Sequence, residues 1–188
     1  LSKGDETEAR MFVAEIFRAD RTVNPDKLLR NITFLRATDT LPNGTLFGNN
    51  RGYTDLATGQ IYLNKDALID IARTNEYRNT PGAFSDKQIF LDKRATKATI
   101  IHELMHSNVD VLGNAKYQQL IKHIKRWDAV RKGVTQVEVD LFNRAKARMA
   151  ADGINADVGA DIYDAELLAY VTEEAVNAGI EPDNLARE

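Results

Sequence analysis

The chain has 188 residues, 43% of them hydrophobic and 28% charged, with a formal net charge of -3. These proportions are ordinary for a globular protein of one domain; they exclude a disordered or fibrous design and give none of the basic character that nucleic-acid binding generally requires. Cysteine is absent, which excludes disulfides, thiolate nucleophiles and Cys-ligated zinc, and leaves the redox compartment open.

A first helix is expected over Glu6–Ala19, where Ala9, Phe12, Val13, Ile16 and Phe17 follow the three-and-four spacing of one buried face. Asn24-Pro25-Asp26 signals the start of a short second helix through Leu29, and Ile32–Leu35 reads as a brief strand. From Leu41 to Thr58 turn formers (Pro42-Asn43-Gly44, Gly48-Asn49-Asn50, Gly52) alternate with Phe47 and Tyr53, as in small hairpins. A turn at Ala57–Gln60 leads into a strand at Ile61-Tyr62-Leu63, after which Asn64 is expected to cap a helix from about Lys65 to Arg73. Asn79-Thr80-Pro81-Gly82 breaks the pattern.

The next helix is expected over Ala95–Val111, with Ala98, Ile101, Leu104 and Met105 on its buried side and Gly113 at its end. Helices at about Ala115–Val130 and Gln136–Ala151 follow, parted by Lys132-Gly133, and a last one at about Asp164–Ala178 is closed by Gly179 and Pro182. No apolar run approaches the length of a membrane span, so a soluble protein is expected. Leu1-Ser-Lys-Gly-Asp-Glu lacks the apolar core of a secretory signal, and a processed product or a domain excised from a longer chain is the expected context.

The chemistry lies in His102-Glu103-Leu104-Met105-His106. Two imidazoles four residues apart on a helix project from one face a turn apart and can share one metal ion, while Glu103 is placed to take a proton from the water that attacks a peptide carbonyl. The bland alternative is a chance pairing of two of the chain's three histidines on a solvated helix. Ile100, Ile101, Leu104 and Met105 argue against it, because a helix apolar on its other sides holds two such histidines more economically as a metal site.

Thr99-Ile-Ile-His-Glu-Leu-Met-His-Ser107 resembles the active-site helix of the zincin metallopeptidases. That resemblance implies a catalytic Zn2+ and an α+β fold, mostly helical, with a small sheet whose edge strand borders the active-site cleft. In the gluzincin branch the third ligand is a glutamate on a later helix, often within Glu-x-x-Ala, which Glu166-Leu-Leu-Ala169 matches. Several gluzincin families follow that alanine with an aspartate that supports a zinc-bound histidine; Tyr170 stands here instead.

A catalytic zinc generally has three protein ligands and a water, so without cysteine the third ligand is a histidine or a carboxylate. His123, among Lys122, Lys125 and Arg126, reads as a solvated or capping residue, and the metzincin signature is absent. Glu166 leads among the carboxylates, as the residue beginning a helix able to pack on the motif helix. Glu173 and Glu174 are its nearest rivals, Glu173 being also able to support a histidine. Asp161, in Gly159-Ala-Asp-Ile-Tyr163, faintly resembles the aspzincin ligand loop, and Asp110 shares the side of His102 and His106 but would strain a tetrahedral site. Tyr170 stands as the candidate oxyanion donor, with Tyr163, Tyr117 and Arg131 open as alternatives.

Zincins commonly add an extended substrate to an edge strand by main-chain hydrogen bonds, and Ile61-Tyr62-Leu63 is the candidate strand. Thr58-Gly-Gln-Ile-Tyr-Leu-Asn64, with the motif helix and Leu112-Gly113, is also distantly similar to metallopeptidase modules of the large polyvalent proteins of phages and plasmids. That similarity runs from about Thr58 to Ala178 and implies a phage-associated protein or a delivered effector. The expected function is a zinc-dependent endopeptidase with His102, His106 and Glu166 as ligands and Glu103 as general base, acting on a protein or peptide substrate without nucleic acid or membrane. The alternatives are a catalytically silent metal-binding or interaction module of a phage or effector protein, and an amidase acting on cell-wall peptides.

Overall fold

The computed structural model describes residues 3–18, 24–66, 82, 85–107 and 114–180. It is α+β: helices dominate, with one three-stranded mixed sheet. The chain divides into two compact units, Leu1–Glu103 and Leu104–Glu188. No helix among the described residues is long and apolar enough to cross a membrane.

In the first unit, helix α1 (Lys3–Arg18) buries Ala9, Phe12, Val13 and Phe17 along the face its periodicity marks. Helix α2 (Pro25–Arg30) is capped by Asn24, whose side chain accepts from the backbone N–H of Asp26 and Lys27. Pro25 stands where its missing N–H costs no helical bond. The Arg10 guanidinium joins α1 to the end of α2 by donating to the carbonyl of Leu29 at 2.8 Å.

Strands β1 (Ile32–Leu35), β2 (Gly52–Asp55) and β3 (Gln60–Asn64) are ordered β1-β3-β2. β3 runs parallel to β1 and antiparallel to β2. Ile61-Tyr62-Leu63 is therefore the centre of the sheet and not the substrate-accepting edge expected of it. The β2–β3 hairpin occupies one side of β3 and the parallel pairing with β1 takes the other. β1 and β2 are the edges among the described residues.

Register and alternation put Ile32, Phe34, Ile61 and Leu63 on one face together with Gly52 and Thr54. Tyr53 and Tyr62 face the other way, with ring centroids 6.1 Å apart. Gly52, grouped by sequence with the turn formers, thus lies inside a strand, whereas Gly48 and Gly59 carry the positive φ values of turns, 60° and 70°.

Asn64 ends β3 fully buried. Its carboxamide N–H groups donate to the carbonyls of Gly48 (2.8 Å) and Asn50 (2.7 Å), and its oxygen accepts from the backbone N–H of Asp66 (3.0 Å). Residues 65 and 66 form a turn; the rest of the helix expected through Arg73, and most of the break at Asn79–Gly82, lie outside the described residues. Replacing Asn64 by Ala would leave two loop carbonyls without these donors, so Asn64→Ala is expected to cost on the order of 2–3 kcal/mol in a urea melt. A change within a few tenths would show that this side chain does not hold the loop.

Helix α3 (Asp86–Ser107) carries the motif and begins nine residues before the expected Ala95. No Gly or Pro interrupts 86–107, so nothing in the backbone stops the helix earlier. The expected continuation to Val111, the stop at Gly113 and the rival ligand Asp110 lie outside the described residues.

The second unit contains α4 (Asn114–Ile124), a 3-10 turn (Lys125–Asp128), α5 (Gln136–Ala151) and α6 (Ala160–Asn177). The single helix expected over Ala115–Val130 tightens to 3-10 geometry where Trp127 is buried. α5 has the expected bounds and opens on a capping box: the Thr135 side chain accepts from the Glu138 N–H, and the Glu138 side chain accepts from the Thr135 N–H. α6 starts four residues before the expected Asp164, immediately after Gly159 with its φ of 96°. Tyr117, Ile121, Trp127, Leu141, Phe142, Met149, Leu167, Leu168 and Val171 form the core, with Met105 packed against it.

Candidate metal centre

The motif occupies the last turns of α3, where Ala98, Thr99, Ile100, Ile101 and Glu103 are buried. Burial on several sides of the helix limits the rotamers open to the side chains that carry the chemistry. Four-residue spacing sets His102 and His106 one turn apart on α3. Glu166 lies in the second turn of α6, beyond the first-turn position expected for it, because the helix already begins at Ala160. A carboxylate borne there has its backbone fixed on both sides by helical hydrogen bonds, as a rigid ligand requires.

His102, His106 and Glu166 each offer one ligand atom, and these atoms all lie within 4.8 Å of one another. His106 Nε2 and Glu166 Oε2 are 3.5 Å apart. A direct charge-assisted hydrogen bond between such groups closes to about 2.7–2.9 Å. Two atoms each about 2.1 Å from one tetrahedral zinc stand about 3.4 Å apart, which the observed separation matches. Two imidazoles and one carboxylate are also a donor set suited to zinc, so the residues present fit the ion.

Glu103 is directed at the sheet. Its Oε2 accepts from the Thr54 hydroxyl at 2.7 Å, and the same hydroxyl lies 3.0 Å from the Glu103 carbonyl oxygen. Gly52, two residues earlier on the same face of β2, lies so close that a Cβ added there would stand 2.4 Å from Glu103 Oε1 and 2.6 Å from its Cγ. Sequence reading missed both residues. The only signal available was the alternation of Gly52-Tyr53-Thr54, which identifies a strand face and not its neighbour.

Most of the remaining candidates have other partners. Glu173 accepts from Arg148 at 3.0 Å, and Glu174 accepts from Arg148 at 2.8 Å and from Arg144 at 3.2 Å, so both belong to an ionic network joining α5 to α6. His123 stacks edge-on to Trp127, with ring centroids 5.6 Å apart. Arg131 pairs with Asp128. Asp161 is exposed in the first turn of α6.

Tyr170 is buried, and its hydroxyl donates to Asp152 Oδ2 at 2.6 Å, with Arg148 over its ring. Burial raises its pKa, and the hydrogen bond to Asp152 and the charges of Asp152 and Glu166 raise it further. Tyr117 is shifted upward as well, first by burial and then by the charges of Asp164, Asp161 and Glu166. Both phenols therefore keep their protons at neutral pH.

No protein-family model, curated protein or solved structure matches this chain.

Proposed function

We propose that the chain is a zinc-dependent endopeptidase with a zincin-like active site. The observation that carries this reading is the convergence of His102, His106 and Glu166, with ligand atoms within 4.8 Å of one another, the two histidines standing on the helix that also bears Glu103. These three side chains would hold the ion, which when bound supplies Lewis acidity to the peptide carbonyl and acidifies water.

Glu103 takes one proton from the water as its oxygen forms a bond to the carbonyl carbon. It then delivers that proton to the amine nitrogen as the carbon–nitrogen bond breaks, so a single carboxylate serves both transfers. Burial of Glu103 keeps competing water away from the carboxylate. The strand bordering Glu103 is β2, an edge of the sheet among the described residues. We therefore assign the extended substrate to β2 in place of the central β3. The Tyr170 hydroxyl, bonded to Asp152, carries no step of this mechanism.

The test is cleavage of casein and of a peptide library by purified protein, with metal content measured in parallel. Zinc-loaded protein is expected to cut, to stop when a chelator removes the ion, and to recover on re-addition of zinc. Zinc bound at the stoichiometry of one site with no cleavage of any substrate would overturn the peptidase reading and favour a silent metal-binding module.

A further inference from the structure

From the approach of β2 to Glu103 we infer that Gly52 and Thr54 are positioning residues for this carboxylate, forming a cradle that holds its side chain in one place. The functional part of this inference rests on the peptidase reading; the cradle itself does not.

Gly52 and Thr54 are two residues apart on one strand, so both face the same way. Thr54 is 8% exposed and Glu103 6%, so the 2.7 Å bond between them lies out of water. A hydrogen bond to a carboxylate there is stronger than at a surface. The hydroxyl also reaches the Glu103 carbonyl at 3.0 Å, so it has an acceptor whichever of the two oxygens takes its proton.

Gly52 acts by what it lacks. The three heavy atoms nearest to an added Cβ are Oε1, Cγ and Cδ of Glu103, at 2.4, 2.6 and 2.7 Å. A methyl group at position 52 cannot coexist with the observed Glu103 rotamer. Gly52 has no positive φ, so the demand for glycine here is for space and not for backbone conformation.

A general base does its work only within hydrogen-bond reach of the proton it removes, and a displacement of about 1 Å can cost about a hundredfold in rate. The cradle therefore acts on kcat, whereas the ligands, on other side chains, set zinc affinity.

Two sets of measurements test this. In zinc-loaded protein, Gly52→Ala and Thr54→Val are expected to lower kcat about 10- to 100-fold with KM and zinc affinity unchanged, and Thr54→Ser is expected to restore kcat. Wild-type kcat in both variants, or a loss that Thr54→Ser does not recover, would overturn the positioning role.

The second set needs no activity. Urea midpoints are compared for Gly52→Ala and Thr54→Val, each made in the wild type and in a Glu103→Ala background. Both changes are expected to lower the midpoint in the wild type; once the Glu103 side chain is gone, Gly52→Ala should have little effect and Thr54→Val a smaller one than in the wild type, because the Thr54 hydroxyl still reaches the backbone carbonyl of residue 103. Equal losses in both backgrounds would overturn the cradle. If the wild type cleaves nothing, the peptidase reading falls, and this cycle alone decides whether Gly52 and Thr54 hold Glu103.

Discussion

Glu103→Gln is expected to lower kcat by about 100- to 10,000-fold, the range over which a positioned acid–base group contributes. That loss corresponds to about 2.7–5.5 kcal/mol of transition-state stabilisation. The change removes a proton acceptor and little else. A glutamine has nearly the same shape, and its carbonyl oxygen can still accept from Thr54, which lies 2.7 Å from Glu103 Oε2. Zinc affinity and the urea midpoint should therefore stay near wild-type values. Steady-state kinetics paired with a zinc competition titration checks this, and a variant with full activity would remove Glu103 from the mechanism.

The second large effect is expected at Glu166. Loss of residues that merely orient a metal ligand generally costs 10–100-fold in affinity, so loss of a ligand itself should cost about a hundredfold or more. Glu166→Gln is expected to fall in that range. Its neighbour His106, 3.5 Å away, would then share the ion with His102 alone. The consequence should also be visible in stability. Zinc at about 100 times its Kd raises the unfolding free energy of the wild type by about 2.7 kcal/mol, and the variant should lose most of that increment at the same concentration. Unchanged zinc affinity in Glu166→Gln would remove Glu166 from the ligand set and reopen the choice among carboxylates, Asp161 first.

The two variants act differently. Glu103→Gln should leave a protein that binds zinc but does not turn over, and Glu166→Gln one that fails to hold zinc. A single defect in which both properties fall together in both variants would point to unfolding, which the urea midpoints reveal directly.

Several features of this chain were legible without coordinates because they depend on neighbours in sequence. Helix periodicity placed α1 and its buried Ala9, Phe12, Val13 and Phe17. Cap chemistry placed α2 after Asn24, and the break at Lys132-Gly133 set α5 apart from the helix before it. The four-residue step from His102 to His106 presents two imidazoles on one face wherever a helix forms. Helix starts were read less well: α3 and α6 begin nine and four residues earlier than expected, at Asp86 and Ala160. Apolar periodicity marks where a helix is buried, and Ala160, Asp161 and Ile162 at the start of α6 are exposed and carry no such mark.

What the sequence by itself determined is the local chemistry: the helix, the histidine pair and the acid beside it, since each follows from spacings of a few residues along one chain. Only the tertiary structure decided that β3 is central and β2 an edge, because strand order depends on which sides of a strand are already paired. The same holds for Gly52 and Thr54 against Glu103, some fifty residues away in the chain. Their contact arises from the path of the backbone through space, and no periodicity in the sequence encodes the distance between two surfaces that fold together.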